Sequence, residues 1–241
     1  MSRVFILALV AGLITGCTTQ PSADPAPTPM AVRVEITSSL EWLRPDLAEC
    51  AQQTPGLTLS VRFNEVEAQS LEDSDVLLRW SNLAPASVAP FEIGKDSLAV
   101  IVNPDNPVDT LDASQLKDFF TGQATVWTDP EGAPLDSVQT WVYPAGEDTQ
   151  ILLTTTLLAD SPIATTARIA PNPAAMLEAV AADPQAIGFL PARWLDSTVR
   201  QISITGYAGD QWTLPILAVT QSEPSGITRD WLLCVQDQIE P

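Results

Sequence analysis

Short stretches of alternating apolar and polar residues trade places with stretches of helical spacing along most of this chain. Residues 32–37 alternate and predict a strand. Residues 40–52 place Leu40, Leu43, Leu47 and Cys50 on one helical face, with Ser38 or Ser39 as a cap. Residues 57–63 alternate again, and 75–80 form a short apolar run that suits a buried strand. A further strand over 97–103 is broken by Asn103-Pro104-Asp105-Asn106-Pro107. An amphipathic helix over 114–120 stops at Thr121-Gly122. Helices follow at 148–158, 173–182 and 228–239, with strands at 186–190, 199–204 and 216–220. Strands trading places with helices predict α/β layers.

The first residues follow a different rule. Arg3 precedes an apolar run over residues 4–13, and then comes Ile14-Thr15-Gly16-Cys17. That run is too short for a stable membrane span and reads as a secretory signal. The small residues before Cys17 resemble a bacterial lipobox, in which the cysteine becomes the lipidated first residue. The alternative is an ordinary signal peptide with an incidental Cys17. Residues 18–30 are polar and rich in proline, which predicts an extended tether. The expectation is an extracytoplasmic domain anchored to a bacterial membrane by N-terminal lipid.

Composition narrows the function. Hydrophobic residues make up 45% of the 241, enough for a real core beyond the tether. Thirty acidic residues against 11 basic ones give a net charge of −19, which argues against nucleic acid or anionic lipid as a partner. The chain has no histidine, so the usual general base and commonest metal ligand are missing. Neither a metal site nor a cofactor is expected. With Cys17 lipidated, Cys50 and Cys234 remain, and an even pair in an exported domain predicts a disulfide between the first and last helices. Such a bridge would contribute about 3 to 5 kcal/mol; two buried thiols are the alternative.

One region is recognisable. Lys95-Asp96-Ser97-Leu98-Ala99-Val100-Ile101-Val102-Asn103-Pro104-Asp105-Asn106-Pro107-Val108 resembles the crossing strand of phosphate ABC-transporter substrate-binding proteins. Leu111, Gln115-Leu116, Phe119-Phe120-Thr121-Gly122 and Trp127 continue the likeness. So do Met176, Val180, Asp183-Pro184 and Ala186-Ile187-Gly188-Phe189. The resemblance implies an α/β, two-lobed type II periplasmic binding fold with a ligand cleft between lobes. Lobe one would be 31–95 plus 214–241 and lobe two 96–213, with crossings near Gly94 and Trp212. It also places the first and last helices in one lobe, in agreement with a bridge from Cys50 to Cys234.

The resemblance further implies three ligand-holding loops. Thr37, Ser38 and Ser39 stand at the first, where hydroxyls and a helix start favour an anion; a plain helix cap is the alternative. Arg79, Trp80 and Ser81 stand at the second. Arg79 could fork an anion, and Trp80 either stacks on a ligand or is simply buried. The third loop departs from the family. Tyr143 stands where the family has arginine, and in Tyr143-Pro144-Ala145-Gly146-Glu147-Asp148-Thr149 two carboxylates replace the expected Ser-Gly, leaving only Thr149. Carboxylates there repel phosphate, unless Glu147 and Asp148 merely cap the next helix.

Three functions follow. The first is a lipid-anchored solute-binding protein, expected to be monomeric, that holds a small molecule and serves a membrane permease. An oxyanion is one candidate ligand, with phosphate disfavoured. The second is a ligand-free form of the same fold, used as a surface interaction or sensor domain. The third, a carboxylate-dependent enzyme, has no motif to support it, and the chain is expected not to be an enzyme.

Overall fold

The computed structural model describes residues 29–80, 89–129, 131–206 and 212–239. Its strands are β1 (Met30–Ile36), β2 (Leu57–Phe63), β3 (Val76–Trp80), β4 (Ala89–Val102), β5 (Thr110–Asp112), β6 (Val126–Thr128), β7 (Pro134–Ser137), β8 (Gln139–Val142), β9 (Arg168–Ile169), β10 (Ala186–Pro191), β11 (Arg200–Gln201), β12 (Ser203–Thr205) and β13 (Thr213–Thr220). Its helices are α1 (Arg44–Gln53), α2 (Ala113–Thr121), α3 (Asp148–Leu153), α4 (Pro173–Ala181) and α5 (Gly226–Ile239).

One sheet runs in the order β2-β1-β3-β13-β4-β10-β8-β9, with β11 also on β4. In its first half β1 pairs parallel with both β2 and β3, and β13 runs antiparallel to β3. In its second half β10 pairs parallel with β8, and β8 with β9. The long strand β4 belongs to both. Its residues 89–97 pair with β13, and its residues 98–102 pair with β10, both antiparallel. Strands β3 and β10 are buried throughout, which explains why they are apolar apart from Arg79.

The helices follow local chemistry. Asp112 and Gln115 form a reciprocal capping box at the start of α2, and Gly122, with φ of 76°, ends it in the left-handed region. Asn172 accepts from the Ala175 N–H and caps α4. Helix α5 turns Trp231, Leu232, Val235 and Ile239 inward, and the Trp231 indole donates to the Leu47 carbonyl on α1. Cys50 and Cys234 form a disulfide joining α1 to α5, as expected.

Several expectations need correction. The helix expected over 40–52 is a 3₁₀ segment, Ser38–Leu43, followed by α1, which begins at Arg44 with Pro45 in its first turn. Pro45 lacks an N–H, so it suits a fresh helix start and not a helix interior. Neither Ser38 nor Ser39 is a cap; Thr37 precedes the 3₁₀ segment and Leu43 precedes α1, and neither makes a capping hydrogen bond. The strand expected over 199–204 is two short strands in different sheets, because β11 pairs with β4 and β12 with β5. The helix expected over 148–158 changes to a π-helical turn from Thr154 to Leu158. Met30, read as the last tether residue, opens β1. Cys17 and the rest of the tether up to residue 28 lie outside the described residues. Among the described residues, no helix is long and apolar enough to cross a membrane.

Candidate functional site

Three chain segments meet between the two halves of the sheet. Strand β1 ends at Ile36, and its fully buried neighbours Thr37 and Ser39 follow. Strand β3 ends at Trp80 beside them. From the other half, β8 ends at Val142, and the turn Tyr143-Pro144-Ala145-Gly146 carries Glu147 and Asp148 to the start of α3. That turn is held by the Gln150 side chain, which accepts from the Tyr143 N–H at 2.9 Å. Glu147 donates its N–H to the Pro144 carbonyl at 3.1 Å.

The two carboxylates are buried, at 3% and 2% exposure. Asp148 receives four donors. Its Oδ2 accepts from Thr37 Oγ1 at 2.6 Å and from the Trp80 N–H at 3.0 Å. Its Oδ1 accepts from Ser39 Oγ and from the Thr149 N–H. Glu147 Oε1 accepts from Ser38 Oγ and from the Ser39 N–H, both at 2.9 Å. Four donors fill the acceptor positions of a carboxylate. The hydroxyls expected to meet a ligand thus meet the chain's own carboxylates.

Among the described residues, neither carboxylate has an ion-pair partner. Arg79 lies near enough to feel the Asp148 and Glu35 charges, and burial lowers its pKa. Its guanidinium is spent elsewhere: Nε donates to Gln69 Oε1 at 2.6 Å, and Nη2 points to the Val66 carbonyl. Burial, and then the Asp148 charge, push Glu147 up to about 8, against the opposing Ser38 and Ser39 donors. Burial also raises Asp148, while its four donors oppose the shift. Burial favours the protonated form of both groups, and a proton held by the pair relieves the repulsion between them.

The remaining expected residues have definite places. Trp80 is fully buried, with its indole N–H shared between the Asp96 and Leu214 carbonyls. It is a satisfied core aromatic, not a surface for stacking. Tyr143 is buried edge-on against Phe189, its hydroxyl without a partner. Burial, then the Glu147 and Asp148 charges, hold its pKa well above the usual value. Thr149 Oγ1 is also buried without a partner. Gly146 lets another segment approach closely: its carbonyl accepts from the Val66 N–H, and a Cβ there would lie 2.5 Å from Glu65 Oε2. Ser81 lies outside the described residues.

Sequence reasoning did not single out the other contacts across the site. The Trp194 indole donates to the Ser39 carbonyl at 2.8 Å, and the Arg193 guanidinium lies 4.9 Å from the Trp42 ring centre. Asp96, on β4, is pushed up to about 6 by burial. Trp42 and Trp194 were visible as tryptophans, but nothing local tied them to Ser39. No group of acidic or cysteine side chains suited to a metal occurs among the described residues.

Known structures share this architecture. A phosphate ABC transporter substrate-binding protein from Clostridium perfringens, with bound phosphate, superposes with a TM-score of 0.76 at 18% identity, over 86% of this chain and 93% of that one. An ABC-type phosphate transport receptor from Vibrio cholerae gives 0.68 at 21% identity over the same shares. The regulatory domain of MetR, a LysR family regulator from N. meningitidis, gives 0.63 at 15% over 86% and 93%. At these identities the likeness is one of fold: α/β and two-lobed, with a cleft between lobes. The PBP superfamily domain matches residues 82–236, more than half of the chain. The chain belongs to the PBP superfamily.

Proposed function

We propose that this protein is an extracytoplasmic solute-binding protein, tethered to its membrane by lipid on Cys17, whose inter-lobe cleft takes a small solute other than tightly held phosphate. The observation that carries this reading is the convergence of Thr37, Ser38, Ser39 and the Trp80 N–H on Glu147 and Asp148. Polar groups from both halves of the sheet meet there, buried between the halves, the place where a two-lobed fold can close on a ligand. The two phosphate proteins that share the fold support a solute role. The buried carboxylates weigh against phosphate, since a free oxyanion would meet filled donors and negative charge. The sequence between Arg3 and Cys17 supports export and lipidation.

On this reading the lobes are 31–95 plus 214–241 and 96–213. The change of β4 from β13 to β10 between residues 97 and 98 supports that division. Closure would present a joint surface to a membrane permease. The protein acts as a monomer and does no catalysis.

A second reading, a ligand-free interaction or sensor domain, is favoured by one fact: the acceptor positions of Asp148 are filled from within the chain. A thermal-shift panel separates the two readings, because a ligand that binds only the folded state raises its stability. Phosphate, sulfate, amino acids, amines, sugars and divalent metals would be tested. A saturable shift with a neutral or cationic solute supports the receptor, and a saturable shift with phosphate overturns the phosphate exclusion. No shift from a well-folded protein leaves the interaction domain.

A further inference from the structure

We propose that the Asp148 carboxylate is a built-in ligand: it fills the anion position between the lobes, holds them together without any solute, and leaves a site for a small free carboxylate when its side chain is removed. The inference rests on the two-lobed cleft described above and concerns how that cleft is governed.

The geometry carries it. Three donors to Asp148, from Thr37, Ser39 and Trp80, come from the half of the sheet built on β1 and β3. The carboxylate itself comes from the other half, at the start of α3 after the turn that follows β8. A side chain that merely capped its own helix would stay on its own side; here only the Thr149 N–H is local. Glu147 repeats the pattern on Ser38 and the Ser39 N–H. With no ion-pair partner among the described residues, hydrogen bonds from the facing half do the holding.

A second observation points to a ligand position and not only to a structural link. In the same turn, the Tyr143 hydroxyl and Thr149 Oγ1 are buried and have no partner. Two oxygens on one carboxylate already accept four donors, so they cannot serve these hydroxyls as well. The Tyr143 hydroxyl lies near enough to feel the Glu147 and Asp148 charges, yet it finds no acceptor, a buried polar group that asks for one.

Other contacts cross the same boundary. The Val66 N–H donates to the Gly146 carbonyl at 3.0 Å, and Trp194 donates to the Ser39 carbonyl. Loss of Asp148 therefore loosens the lobes and does not separate them outright.

The test compares the full chain with its Asp148→Ala variant by small-angle scattering and thermal melting, with sodium formate added at constant ionic strength against chloride. The variant is expected to have a larger radius of gyration and a lower midpoint than the wild type. Formate should restore both saturably, at about millimolar concentration or weaker for so few atoms. The wild type should not respond to it. A variant with the wild-type radius and no response to formate overturns the proposal. If Asp148→Ala does not fold, Thr37→Val with Ser39→Ala removes two donors from the facing side. A wider radius in that variant supports the proposal, and an unchanged radius overturns it. Failure here is distinct from failure of the receptor reading. A wild type stabilised by a solute, beside an Asp148→Ala variant that stays closed, sinks only the internal ligand. An opened variant rescued by formate, beside a wild type that ignores every solute, sinks only the receptor.

Discussion

Thr37 Oγ1 donates to Asp148 Oδ2 at 2.6 Å across 111 positions of sequence. The residue that follows the first strand thereby meets the one that opens the third helix. Around this contact the hydroxyls of Thr37, Ser38 and Ser39 are turned to the chain's own carboxylates. The consequences are electrostatic as well as structural.

Stability should fall as pH rises through the weakly acidic range. Glu147 is held at about 8 against an ordinary value of 4.5. Between those values the folded state binds more protons than the unfolded one, so unfolding becomes easier as pH increases. Burial raises Asp148 and Asp96 in the same direction, Asp96 to about 6. Denaturant titrations should show higher stability near pH 5 than near pH 8, and Glu147→Gln should flatten the slope. A stability that rises from pH 5 to pH 8 would contradict the assignment.

Removing the disulfide that joins α1 to α5 should destabilise the fold. The bond between Cys50 and Cys234 closes a loop of 184 residues. Cys50→Ser with Cys234→Ser should lose about 2 to 5 kcal/mol of unfolding free energy. Urea titration under oxidising conditions measures this, and equal midpoints for both proteins would show that the bridge adds nothing.

Trp194→Phe removes the indole donor to the Ser39 carbonyl and keeps most of the ring packing. The expected cost is about 1 kcal/mol, seen in the same titration. Because Ser39 also donates to Asp148, the effects of Trp194→Phe and Ser39→Ala should not add. Strict additivity would show that the two contacts are independent.

Much of the scaffold could be read from local pattern. The alternation at 57–63 matches β2 residue for residue, and the run at 75–80 matches β3 to within one position. Gly122 and the Asp112–Gln115 box bound α2, although only the glycine was singled out. Strand β8 went unnoticed, because its four residues Gln139, Thr140, Trp141 and Val142 show too little alternation to stand out. Pro45 could have marked the break between the 3₁₀ turn and α1, but the apolar spacing of Leu40, Leu43 and Leu47 runs across it. At the site, the residues were legible and their relations were not. Thr37, Ser38 and Ser39 stood out as a first loop that fits the family, and Glu147 and Asp148 as a departure in the third. No local pattern could say that the first three would serve the last two, because that depends on how β1 and β8 meet in space.

The most direct measurement is an experimental structure of the protein grown in concentrated phosphate near pH 7. The account predicts Asp148 seated on Thr37, Ser39 and the Trp80 N–H, with no phosphate between the lobes. Phosphate on those donors, with the Asp148 carboxylate turned out of the cleft, would contradict it.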